Sequence, residues 1–242
     1  MYQFNENNNP QVMSREMTRS FVSNVFLWMF AALGITAATA YLFGTNVNLM
    51  SLLMQVTPQG GAKVSTLGWI VTFAPFIIVL VMSSRINKMT VQQTVLWYVV
   101  YSILMGMSLS FIFWAYTAAS IFKTFIIAAG MFGTMAVVGY TTDTDLTKFG
   151  SFLIMGLIGI IIATLVNIFM HSARLDYIIS ILGVLIFTGL TAFDVQKIKQ
   201  IGNAGISDGD LMAKITVHAA LSLYLDFLNL FLYLLRIFGN RD

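Results

Sequence analysis

The run LMAKITVHAALSLYLDFLNLFLYLLRIF, from Leu211 to Phe238, decides the fold. At 1.5 Å per residue a helix of this length crosses a bilayer core of about 30 Å. Near its middle stands Asp226. An ionised carboxylate at mid-membrane costs on the order of 2.5–3.5 kcal/mol by insertion scales, so it needs a reason. Laid on a helix at about 100° per residue with Asp226 at zero, Ser222 falls at about −40°, Asn229 at about −60° and Tyr233 at about −20°. His218 and Arg236 both fall at about −80°. Nearly every polar group therefore shares a sector of about 80°, and the remainder is Leu, Phe, Ile and Ala. A helix patterned this way belongs at the centre of a bundle, its stripe turned toward other helices.

Working outward, six more segments reach the roughly 20 residues that a crossing needs. They run from about Phe21 to Phe43, Val64 to Ser84, Thr94 to Thr117, Phe122 to Tyr140, Phe149 to Met170 and Tyr177 to Ile198. Only the short break at Ala118–Lys123 parts the third from the fourth, so six helices plus a hairpin is the rival count. The composition agrees: 58% of the 242 residues are hydrophobic and 10% charged, against about 25% charged in soluble domains. The expected fold is an all-α integral membrane protein, a seven-transmembrane-helix bundle with the last helix central. Residues 1–20 form a polar, Asn-rich N-terminal tail, and residues 21–242 a single membrane domain. The first apolar run is too long for a signal-peptide core and lacks a small-residue cleavage site, so it reads as a retained helix. The longest connection, about Gly44 to Lys63, carries the turn residues Pro58, Gly60 and Gly61.

Lys and Arg set the orientation. With the N-terminus inside, inner segments hold Arg15, Arg19, Arg85, Lys88, Lys148, Lys197, Lys199 and Lys214, and outer segments Lys63, Lys123, Arg174, Arg236 and Arg241. Eight against five favours the N-terminus inside. With no cysteine, disulfides, thiolate metal sites and Cys nucleophiles are excluded.

Of the ten acidic residues, Asp194 and Asp226 alone lie within apolar helices. On the sixth helix Ser180, Gly183, Thr191 and Asp194 share a face of roughly 80°, where small residues let a neighbour approach closely. The sixth and seventh helices form a hairpin around Gly205, and counting from that turn leaves the two acids offset by about 15 Å. If they meet, the pair titrates as a unit, a natural pH sensor, and its ionised form is a hard oxygen site for a cation such as Ca²⁺. The structural alternative pairs Asp194 with Lys197 and makes Asp226 a hydrogen-bond partner of Asn229 or Tyr233. Arg85 ends the second helix on the side of Asp194, as a snorkelling interface residue or as an ion-pair partner that plugs the site. His218 reads as a packed polar contact, since His171 lies beyond the fifth helix on the opposite side.

The stretch Gly189-Leu190-Thr191-Ala192-Phe193-Asp194-Val195-Gln196-Lys197-Ile198 resembles the signature of the Bax-inhibitor family: an aromatic residue, Asp, a small residue and Gln near the end of the sixth helix. Leu225-Asp226-Phe227-Leu228-Asn229-Leu230-Phe231 resembles its final-helix motif. Tyr140-Thr141-Thr142, Asp145-Leu146-Thr147 and Gly150 resemble the fourth-to-fifth junction of its bacterial branch. The resemblance covers essentially the whole chain after the tail. It implies a last helix surrounded by the others, an aspartate pair at Asp194 and Asp226 linked to a pH-dependent Ca²⁺ leak, and Arg85 as a latch on the sixth-helix Asp. It further implies a multi-pass protein of the bacterial cytoplasmic (inner) membrane. Many members carry Glu before the Gly of the third helix, whereas this chain has Met105-Gly106, which removes a third acid.

The function expected is a pH-sensitive calcium leak channel. The alternative is an interaction protein that modulates an FtsH-type membrane protease, with the polar tail as the contact. No enzyme is expected. Intramembrane aspartyl proteases also carry one Asp on each of two helices, but their second motif is Gly-x-Gly-Asp, and Asp226 follows Leu223-Tyr224-Leu225. Two distant histidines do not supply the roughly three ligands of a zinc hydrolase, and Lys214 stands too near the start of its helix for a retinal attachment. Asp208-Gly209-Asp210 reads as a helix start rather than a calcium loop. No cofactor and no nucleic acid are expected; the partners are the lipid bilayer, calcium as permeant or bound ion, and a membrane protease.

Overall fold

The computed structural model describes residues 10–56, 62–206 and 208–240. Pro58, Gly60 and Gly61 and the first nine residues of the polar tail lie outside them. The described chain runs α1 (Pro10–Thr45), α2 (Val47–Leu53), β1 (Met54–Val56), β2 (Ala62–Val64), α3 (Thr66–Arg85), α4 (Val91–Leu109), α5 (Ile112–Ala115), α6 (Ala118–Thr141), α7 (Thr147–Met170), α8 (Ala173–Asn203) and α9 (Gly209–Phe238). Among the described residues, seven stretches are helical, long and apolar enough to cross a membrane.

The rival count of six falls at the break after α4. Ser110 ends that helix, its N–H going back to the carbonyls of Gly106 and Met107. Thr117 then caps α6, its hydroxyl accepting from Ser120 N–H at 3.2 Å, so the chain leaves one helix and starts another.

Helix α1 begins at Pro10, well before the expected Phe21. Proline suits a first turn, because its missing N–H would be unpaired there. The early turns are tied down by Thr18, whose hydroxyl donates to Asn203 Oδ1 at 2.8 Å at the end of α8. The second half of the polar tail is thus part of a docked helix. The long connection after α1 is also structured. Asn46 caps α2, accepting from Asn48 N–H at 3.0 Å, and β1 pairs antiparallel with β2, Met54 opposite Val64. Ser65 then caps α3 and ties it back, donating to the Leu52 carbonyl at 2.6 Å.

Helix α9 is central. Leu223, Tyr224 and Leu230 are 0% exposed, and α9 packs against α8, α1, α6 and α4. Each neighbour meets its own sector. Tyr224 stands edge-on to Tyr98 and Tyr101 of α4, ring centres 6.4 and 5.4 Å away. Phe227 does the same to Phe125 and Phe132 of α6, at 5.3 and 5.5 Å. Tyr233 stacks on Phe187 of α8 at 5.9 Å. Helix α7, by contrast, leans on α8 and turns Phe152, Ile161, Leu165 and Phe169 outward, the apolar surface that lipid covers.

Small residues set the closest crossings. A Cβ at Gly139 of α6 would stand 2.8 Å from the Cα of Ala192 on α8, whereas at Gly130 it would meet nothing within 4 Å. Gly139→Val is therefore expected to destabilise the purified protein by about 1–3 kcal/mol. Gly130→Ala should leave it near the parent in the same thermal denaturation series, and equal midpoints for Gly139→Val and the parent would refute the close approach.

Candidate functional site

The α8–α9 hairpin turns at Gly205, whose φ of 64° is the left-handed conformation that glycine adopts without cost. Asp208 then opens α9, accepting from Asp210 and Leu211 N–H at 3.0 and 3.1 Å. Asp208-Gly209-Asp210 is thus a helix cap. Helix α8 continues nine residues past Asp194 to Asn203, and α9 takes thirteen from Gly209 to reach Ser222. Those lengths differ by about 6 Å, and α8 overruns its expected end at Ile198.

The register brings the two acids together. The Ser222 hydroxyl donates to Asp194 Oδ2. One turn further along α9, the Asp226 carboxyl meets that of Asp194 in side-chain contact. Two carboxylates have no donor between them, so this contact becomes a hydrogen bond only when one of them carries a proton. Asp226 is 5% exposed, and its Oδ2 has no hydrogen-bond partner among the described residues. Asp194 is half-buried and lines a cavity of about 150 Å³ whose wall also includes Lys197, Ile201, His218 and Ser222.

The structural alternatives for the acids are not what this structure holds. Lys197 reaches the cavity wall but makes no ion pair with Asp194; among the described residues the ion pair present is Arg236–Asp176, 3.2 Å apart at the far end of α8 and α9. Both of its side chains are 40% exposed, so the pair adds little stability. Asn229 donates to the Leu225 carbonyl of its own helix at 2.8 Å rather than to Asp226. Tyr233 lies over Gly183, where a Cβ would come within 2.7 Å of its ring, and Arg236 stands 5.7 Å above that ring. The stripe of α9 is therefore one face with three jobs: His218 and Ser222 at the cavity, Asp226 at the pair, and Tyr233 and Arg236 as packing toward the far end.

Arg85 ends α3 with its side chain exposed and makes no ion pair with Asp194. Its neighbour Ile86 lines the Asp194 cavity, whereas Arg85 itself does not. No group of three or more His, Asp or Glu forms around the pair among the described residues.

Two features escape a reading of the sequence. The first is Gln196, two residues after Asp194 and buried. Its Nε2 donates to the Thr144 carbonyl and its Oε1 accepts from Leu146 N–H, both at 2.8 Å. Lys199 continues the clamp, donating to the Tyr140 carbonyl at 2.8 Å, while the Phe193 ring fills the space a Cβ would need at Gly150. The motif residues Phe193 and Gln196, with Lys199 just beyond the motif, thereby fasten the α6–α7 junction to the helix that carries Asp194. The second is the group on the opposite side of α9, where Tyr224 hydroxyl and Thr36 Oγ1 are 2.7 Å apart and Thr36 donates to the Ser102 carbonyl at 2.9 Å. Tyrosines inside apolar runs gave no sign of this network.

Comparison with known proteins places the chain. The family model described as "Inhibitor of apoptosis-promoting Bax1" matches residues 18–242. The inner membrane protein YbhL of Escherichia coli is 42% identical over 231 residues, 95% of each chain. An uncharacterized protein of Borreliella burgdorferi is 45% identical over 221 residues, 91% of this chain and 92% of its own. The uncharacterized protein RP147 of Rickettsia prowazekii is 40% identical over 226 residues, 93% and 92% of the two chains.

Gln196→Leu leaves Leu146 N–H and the Thr144 carbonyl unpaired, and is expected to cost about 1–3 kcal/mol; hydrogen exchange at Leu146 should speed accordingly, and unchanged exchange would refute the clamp. In the same junction the Thr147 hydroxyl, and after it the Thr147 N–H, hold the Asp145 carboxyl below its ordinary range. A lowered value stabilises the folded state above the unfolded pKa and loses that contribution as pH falls through the folded one. Asp145→Asn should therefore melt below the parent at pH 7, and the two midpoints should converge below about pH 3.9.

Proposed function

The chain belongs to the Bax-inhibitor family, and from that premise we propose that it is a pH-sensitive calcium leak of a bacterial inner membrane, with Asp194 and Asp226 as proton sensor and cation site. The observation that carries this reading is the contact between two carboxyl groups inside the bundle, beside a cavity and in no ion pair among the described residues. With one proton between them the pair is a bond tying α8 to α9. Without that proton, two like charges in side-chain contact repel by several kcal/mol at an effective dielectric of about 20. The contact then opens or takes up a cation.

Carboxylate and hydroxyl oxygens suit Ca²⁺. Asp194 and Asp226 would hold the ion with Ser222 beside them, and water would complete its shell. A site with two acidic residues is weaker than the dense cages that store calcium, which fits passage better than retention. The groups that bear on the pair's charge are Lys197 and His218, which share the cavity wall; Arg85 ends α3 next to Ile86, which also lines it. A shift of the α3 end would carry the Arg85 guanidinium toward Asp194, where it competes with the cation and latches the pathway shut. The excess of Lys and Arg on segments continuous with the N-terminus supports that end lying inside, with the cavity opening to the cytoplasm. The inner membrane named for YbhL is the compartment proposed for this chain.

In proteoliposomes with an entrapped calcium dye, flux through the parent should change with pH. Asp194→Asn and Asp226→Asn should each flatten that profile, and Arg85→Gln should raise the flux. Parent and aspartate variants with the same flux at every pH would sink the proposal.

A further inference from the structure

Beside the N-terminal part of α1, a cavity of about 310 Å³ separates that helix from the C-terminal part of α6. Arg19, Val22, Ser23 and Phe26 line it from α1, and Val137 and Tyr140 from α6. Both helices rest on α8 and α9, while they touch each other lightly at most, so the groove is the seam left between two walls with a common floor. From Arg19 to Phe26 it follows about 10 Å of helix, and beyond Ser23 it is apolar.

The charged residue that lines it is Arg19. Arg19 is exposed and in no ion pair among the described residues, and Arg15 stands one turn before it on the same face of α1. A third cation lies at the same end: Lys199 Nζ is 2.8 Å from the Tyr140 carbonyl and 5.4 Å from the centre of its ring. The nearby acid on α1, Glu16, is exposed and pairs with none of them within 4.0 Å. A guanidinium at the mouth of an apolar intramembrane groove matches a ligand with an anionic head and a hydrocarbon body.

We propose that this groove is a binding site for one anionic phospholipid, its phosphate on Arg19 and one acyl chain lying along Val22, Phe26 and Val137. Basic pockets between membrane helices bind anionic head groups in this way. Val137 is 63% exposed, so its side chain forms an open wall against which a chain can lie. Lys199 joins the site to the clamp on the α6–α7 junction, because the carbonyl it holds belongs to the Tyr140 that closes the groove. The assignment stands apart from the cation leak, since it concerns lipid retention and not flux.

The experiment titrates the delipidated full chain with phosphatidylglycerol or phosphatidylcholine in detergent and counts retained lipid by native mass spectrometry. The parent should keep one phosphatidylglycerol in preference to phosphatidylcholine. Arg19→Gln should cut that retention about fivefold, the loss expected for one interfacial cation. Val137→Trp, which fills the groove without touching charge, should cut it as well, while Arg174→Gln at the opposite end should leave it unchanged. Equal loss in Arg19→Gln and Arg174→Gln would mean unspecific attraction and overturn the site. Full retention in Val137→Trp would overturn the seated chain, and equal retention of the two lipids in the parent would overturn the anionic assignment.

Discussion

A carboxyl group in a membrane-spanning helix has to be hidden from hydrocarbon, and at Asp226 that requirement determines where the whole of α9 lies. An amphipathic helix at a bilayer interface could wet its polar side, but one that crosses the core cannot. Helix α9 therefore sits inside the bundle, with α8 on the side of the stripe and α4, α1 and α6 around the rest. The aromatic contacts follow from that placement. Tyr224 and Phe227, pointing away from Asp226, meet rings of α4 and α6 edge-on, the geometry aromatic pairs prefer. The acid faces Asp194 on α8, and the ring-bearing sides of α9 anchor the other helices.

The crossings and the central helix were legible in the sequence because both depend on local arithmetic: apolar run length for the first, angular clustering of polar residues for the second. What failed were features decided between segments. The start of α1 at Pro10 depends on Thr18 finding Asn203, 185 residues away. The depth of Asp194 relative to Asp226 depends on how α8 and α9 pair across their turn, which helix lengths alone leave open. Gln196 was visible as part of a motif, but its partners are backbone groups 50 and 52 residues earlier, which no periodicity reveals. The hairpin of β1 and β2 is three residues per strand, too short for alternation to show.

The helices are unequally bound to the centre. Helix α3 packs on α4 and α2, touching α8 and α9 lightly at most, and its interior holds Pro75, which leaves the Val71 carbonyl without its helical donor. The residue that follows it, Ile86, nevertheless lines the Asp194 cavity. Arg85 thus sits on a span with few ties to the core, whereas the acids, and Lys197 in the wall of their cavity, sit on the two helices most tightly joined. Any rearrangement that reaches the pair through Arg85 costs contacts mainly at the periphery, and Gln196 and Lys199 keep the α6–α7 junction fixed to α8 while it happens.

Whether the aspartate pair serves the fold or something else can be argued from how poorly it serves the fold. Buried charged or paired acidic groups are often matched or bettered in stability by apolar residues of the same volume. A structural polar contact would be expected to satisfy its atoms, as buried groups almost always do. Asp226 does not: one of its oxygens has no partner among the described residues, while Asn229 and Thr191 beside the site bond their own helices. Asp194 has the Ser222 hydroxyl, but that bond would not require an acid at position 226. The stripe could hold α8 against α9 through Ser222, Gly183 and Tyr233 with a leucine in place of Asp226. That a carboxyl the fold can do without is kept where ionising it is expensive, and where one proton removes the expense, is the physical ground for the proposed proton sensor.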